Sequence, residues 1–136
     1  MLTAATACTA VGDYVDSTGN TWITLAERWD GTSWTVQSTP NPTGGGSSFL
    51  SGVSCVAANA CTAVGDSSNS NGTQGSIVAE RWDGTAWTIQ NTPTPTGATF
   101  NGLGGVSCTS ATACTASGGT TDSAGTTVTL AERYGQ

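Results

Sequence analysis

Small apolar residues alternate with polar ones in short runs along this chain, and no segment sustains the 3.6-residue period of an amphipathic helix. The clearest run is Ala26 to Gln37, AERWDGTSWTVQ, where two stretches rich in β-branched and aromatic residues flank Asp30-Gly31 and each carries a tryptophan. Asp-Gly supplies the positive φ that tight hairpin turns require, so the pattern predicts two antiparallel strands. The phrase returns at Ala79 to Gln90 as AERWDGTAWTIQ and begins a third time at Ala131 as AERY.

The recurrence sets a period. Cys8, Cys61 and Cys114 are spaced 53 and 53 residues apart, and Ala26, Ala79 and Ala131 are spaced 53 and 52. Repeats of that length belong to solenoids, arrays and propellers. Each full period predicts four strands, here Leu50 to Cys55, Ala60 to Gly65, Ile77 to Trp82 and Trp87 to Gln90. The first and second are joined by a short turn at Ala57, Ala58 and Asn59, the second and third by a polar loop from Asp66 to Gly75, and the third and fourth by the Asp83-Gly84 turn. Between units run Pro- and Gly-bearing links, STPNPTGGGSSF and NTPTPTGATFNG, whose prolines stop a ladder and extend the chain. The expected organisation over 1–136 is a single repeat array: a partial unit at 1–40, a full one at 49–91 and a partial one at 102–136.

Four-stranded meanders joined by longer crossings have the pattern of propeller blades. The expected fold class is therefore all-β and β-propeller-type, with four-stranded antiparallel blades. The partner of Cys8 would fall at Leu2, so the first unit is expected to lack its first strand, and the last its fourth, giving ten strands or about two and a half blades. Closed propellers have roughly four to eight blades, so the ring is expected to be incomplete within one chain, with unpaired edges that favour self-association.

The second strand of each unit ends in glycine (Gly12, Gly65, and Gly118 with Gly119). An aromatic ends the third strand (Trp29, Trp82, Tyr134), and a tryptophan opens the fourth (Trp34, Trp87). Together these features resemble a kelch-type blade. More closely, the phrases GVSC, ACTAVGD and AERWDGTSWTVQ are similar to tandem repeats of secreted actinobacterial proteins of unassigned function. That resemblance implies a propeller fold and an extracellular compartment, and it brings no catalytic residue.

Cys55 with Cys61 and Cys108 with Cys114 share the spacing C-x5-C across the first turn of a unit, where hairpin arms lie opposite one another. Disulfides are favoured there over a metal site, because zinc takes about four Cys or His ligands and this chain has no histidine and no C-x2-C pair. Cys8 is left as an unpaired thiol. Disulfides point to a secreted or cell-surface protein. MLTAATACTAVGD has neither a basic start nor a long apolar run, so a signal peptide is not expected in this chain.

Composition narrows the function. Charged residues make up 9% of the chain and the net charge is −6, with no lysine, which argues against nucleic acid or an anionic membrane as partner. The cations are Arg28, Arg81 and Arg133, each directly after a glutamate in its unit. Such regularity predicts a structural role, tying a carboxylate or loop carbonyls, with Asp13 and Asp66 as candidate partners. By the same logic Trp29, Trp34, Trp82 and Trp87 are expected to pack in or between the units. Trp22 has no counterpart in the other units, and with Tyr14 and Asp16 it forms the candidate ligand-binding set, suited to stacking on a sugar ring.

The loops Asp13 to Asn20 and Asp66 to Gly72 carry oxygen ligands without EF-hand spacing, so turn formation rather than calcium is expected, and no metal or cofactor is assigned. Without histidine, a Ser-His-Asp or Cys-His arrangement is excluded within the chain, and Glu27 and Glu80 at matching positions give no reason for unequal acid and base roles. An enzyme is not expected. The expected function is a non-catalytic extracellular repeat module that self-associates through open edges or joins missing blades of a larger chain. The alternatives are a lectin-like carbohydrate binder and a subunit of a head-to-tail filament.

Overall fold

The structure is a computed structural model that describes residues 1–135, and it is all-β, with no helix among them. Eleven strands form three antiparallel sheets. Sheet 1 has the order β1 (Leu2–Ala4), β2 (Ala7–Val15), β3 (Trp22–Trp29), β4 (Trp34–Gln37). Sheet 2 follows as β5 (Gly45–Ala57), β6 (Ala60–Asn69), β7 (Gly75–Trp82), β8 (Trp87–Ile89). Sheet 3 comprises β9 (Ala98–Ser110), β10 (Ala113–Asp122) and β11 (Thr127–Tyr134). The three sheets do not close a ring among the described residues.

Three expectations need correction. The first unit keeps a remnant of its first strand, β1, whose Leu2 stands opposite Cys8, so there are eleven strands rather than ten. Four residues suffice for it because Ala5 and Thr6 turn the chain directly back onto β2. The second strand of the unit does not stop at glycine: β6 runs on to Asn69, and the polar loop shrinks to residues 70–74. The strands that follow the Pro-bearing links also start earlier than expected, at Gly45 and Ala98, as soon as the prolines are passed and every residue can again donate to a ladder.

The glycines within β6 and β10 mark a close approach instead of an end. A β-carbon on Gly65 would collide with the Phe49 carbonyl oxygen, and one on Gly118 with that of Gly102, at points where the ladder register shifts. At the Asp-Gly turns the positive φ falls on the glycine (Gly31 at 101°, Gly84 at 97°). Asp30 Oδ1 accepts the Thr32 and Ser33 amides at 2.8 and 2.9 Å, and Asp83 does the same for Thr85 and Ala86. These amide bonds hold both aspartates below the usual carboxylate range.

The core lies between sheets in two slabs. One joins Ala26 and Val11 of sheet 1 to Leu50, Cys55, Cys61, Ala63, Val78 and Trp87 of sheet 2; the other joins Val64 and Ala79 of sheet 2 to Leu103, Ala116, Val106 and Leu130 of sheet 3. Residues alternate along each strand, so Cys61 and Ala63 look toward sheet 1 while Thr62 and Val64 look toward sheet 3. Thr9 Oγ1 lies 3.7 Å from Cys61 Sγ, and one period later Thr62 Oγ1 lies 3.5 Å from Cys114 Sγ. The two sheet-to-sheet junctions are thus built on the same contacts. Near the first strands the backbones nearly touch: a β-carbon on Gly52 would stand 3.0 Å from the Gly104 carbonyl oxygen.

Candidate functional site

The first and second strands of sheets 2 and 3 are tied as the spacing predicts, with disulfides joining Cys55 to Cys61 and Cys108 to Cys114 between directly opposed residues. Cys8 is a free cysteine, opposite Leu2.

Arg28 and Arg81 act between sheets but do not take the aspartates named for them. Arg28 Nη1 donates to the Ala58 carbonyl of the next sheet's first turn at 2.5 Å. Arg81 Nη1 donates to Tyr134 Oη at 3.3 Å, with its guanidinium 5.9 Å from that ring's centre. The reason is alternation along the strands, which aims these forks at the neighbouring sheet's edge. Asp66 packs instead beside Gly102, and burial together with the nearby Asp13 charge raises its carboxyl above the usual range.

The four repeated tryptophans divide by position in the stack. Trp87 is 4% exposed, wedged between sheets 1 and 2, and its Nε1 donates to Gln37 Oε1 at 2.9 Å. Its counterpart Trp34 is 50% exposed on the face of sheet 1 turned away from sheet 2, against Trp29 with ring centres 5.8 Å apart. Trp82 is partly buried against the first slab, 5.9 Å from Trp87.

Tyr14, Asp16 and Trp22 are not brought together. Along β2, Tyr14 shares the parity of Cys8 and Ala10 and projects to the outer face of sheet 1. Trp22 shares the parity of Thr24 and Ala26 on β3 and leans toward sheet 2, its ring centre 6.1 Å from that of Phe49. One junction on, Gly75 replaces Trp22 and Phe100 approaches its backbone. Asp16 closes its own turn, accepting the Thr18 hydroxyl and amide at 2.5 and 3.0 Å; the hydroxyl bond foremost holds its carboxyl low. Asn71 does the same for Thr73 in the next unit.

Glu80 breaks the equivalence with Glu27 expected from their matching positions. It is fully buried on the sheet 1 side of β7; among the described residues neither carboxyl oxygen has a hydrogen-bond partner, nor does the indole N–H of Trp82, two residues on. Burial without a counter-charge pushes its carboxyl up to about 8.

Two sheet faces are covered by none of the described residues. The outer face of sheet 1 carries Trp34 and Val36, 50% and 64% exposed, together with Tyr14 and Cys8: the positions at which sheet 2 buries Trp87 and Cys61 and holds Ile89. The outer face of sheet 3 presents Thr115, Ser117, Ala131 and Arg133, which correspond to Thr62, Val64, Ala79 and Arg81. No family model matches this sequence, and neither a comparison with curated proteins nor one with solved structures finds a match.

Proposed function

We propose that this chain is a non-catalytic, propeller-type repeat module, with each sheet a blade, that serves as an assembly scaffold by adding further units at its uncovered surfaces. One observation carries the reading. The outer face of sheet 1 exposes Trp34 where sheet 2 buries Trp87, and leaves Cys8 only half-buried where sheet 2 seals Cys61. An exposed apolar face of this kind is an interaction surface, and its natural complement is the opposite face of the same repeat. The Arg133 fork on sheet 3, set where Arg28 grips Ala58, supports the same polarity of stacking, with sheet 3 of one copy meeting sheet 1 of the next. Two disulfides accord with an extracellular setting.

The test is the mass in solution across a concentration series, with and without reductant. Discrete multiples of the 13.5 kDa chain are expected for a closed assembly, and a broad, growing distribution for a filament. Trp34→Asp should shift either toward the monomer. A monomer at every concentration would overturn the reading. A glycan array is expected to stay blank, and a hit abolished by Trp22→Ala would install the carbohydrate-binding alternative in its place.

A further inference from the structure

The slot that Trp87 fills between sheets 1 and 2 recurs between sheets 2 and 3 without its tryptophan. Trp87 shares one buried cluster with Ala26, Leu50, Cys61 and Ala63, against which Val11 packs, and Gln37 accepts its indole N–H. Their counterparts Val64, Ala79, Leu103, Cys114, Ala116 and Gln90 line a cavity of ≈ 70 Å³. Among the described residues sheet 3 has no fourth strand, and none of them pairs with the far edge of β11 or takes the place of β8. The described hydrogen bond of the Gln90 side chain is a donation from Nε2 to Thr88 Oγ1 at 3.3 Å, whereas Gln37 uses its Oε1 to hold an indole.

We infer that the β11 edge and the cavity beside it form an acceptor for an extended peptide segment carrying Trp-Thr-aliphatic-Gln. This inference rests on the reading of the sheets as units of a larger array and names the partner chemistry for one of their open edges. The occupant follows from the chain's own two examples. In both complete sheets the fourth strand runs antiparallel to the third with Trp opposite Trp, Thr opposite Arg and an aliphatic opposite Glu. On β11 that register sets the incoming tryptophan opposite Tyr134, threonine opposite Arg133 and the aliphatic residue opposite Glu132. Main-chain pairing supplies the attachment, and the indole in its slot, donating to Gln90 Oε1, supplies selection. The segment also covers Glu132 as β8 covers Glu80, so its carboxyl, already raised by partial burial, moves further up on binding.

The experiment adds a labelled peptide with the sequence of residues 83–91, DGTAWTIQN, to the full chain, following anisotropy and backbone amide shifts. Saturable binding is expected, with shifts in β11, Gln90 and Ala116, and a rise in the Glu132 carboxyl pKa read from its side-chain carbon. A peptide with alanine in place of tryptophan should bind on the order of a hundredfold more weakly. Gln90→Ala in the chain should weaken the parent peptide roughly fivefold. No binding, equal binding of the alanine peptide, or shifts confined to sheet 1 would overturn the inference. A chain that stays monomeric yet takes the peptide keeps this acceptor and sinks the scaffold reading. A chain that assembles yet refuses the peptide does the reverse.

Discussion

Replacing Glu80 by glutamine should change how the stability of this chain depends on pH. The carboxyl is fully buried with no partner and titrates at about 8 in the fold, against 4.5 for an unburied glutamate. A carboxyl raised on folding keeps its proton in the native state while the unfolded chain gives it up, so its contribution is intact below about pH 4.5 and is lost as pH rises toward 8. At about 1.4 kcal/mol per pKa unit, that window removes at most roughly 5 kcal/mol, a large share of the stability of a small domain. Glutamine has nearly the same shape and never ionises. At pH 5 wild type and Glu80→Gln should differ by no more than about 1 kcal/mol, since each buries unpaired polar atoms. At pH 9 the variant should be the more stable by several kcal/mol.

Urea unfolding followed by tryptophan fluorescence at pH 5, 7 and 9, disulfides intact, measures both chains. Asp66 and Glu132, whose carboxyls are also raised, titrate alike in the two proteins and cancel in the difference. Parallel pH profiles, or a variant less stable than wild type at pH 9, would refute the reasoning.

Two further outcomes are expected. Cys55→Ala with Cys61→Ala opens a seven-residue loop and should cost about 2 kcal/mol through chain entropy, plus lost packing at the buried Cys61, by denaturant midpoint. Gly65→Ala drives a methyl into the Phe49 carbonyl and should cost more than about 2 kcal/mol, whereas Gly12→Ala, with nothing within 4 Å of the new carbon, should be near neutral; thermal unfolding of the pair checks the contrast.

Local patterns were legible where the cause is local. The Asp-Gly turns, the opposed cysteines and the four-strand order all follow from residues a few positions apart, and the structure reproduces them. Burial was not legible, because it depends on a residue's place in the stack. Glu27, Glu80 and Glu132 sit in the same four-residue run at the head of the hairpin phrase, yet only the glutamate of the middle sheet is sealed. Trp34 and Trp87 differ for the same reason. The candidate set Tyr14, Asp16 and Trp22 is close in sequence, but a half-period of strand sends Tyr14 and Trp22 to opposite faces of one sheet.

Among the described residues, eight of the twelve buried hydrophobic side chains belong to the middle sheet, and the flanking sheets are each covered on one side only. Cohesion of this sort is layered like a stack of plates, so each plate owes its firmness to its neighbours and loosening starts at the outermost ones. Every unit added to either end would convert a weak terminal plate into a clamped interior one, making resistance to unfolding a property that accumulates with the height of the pile.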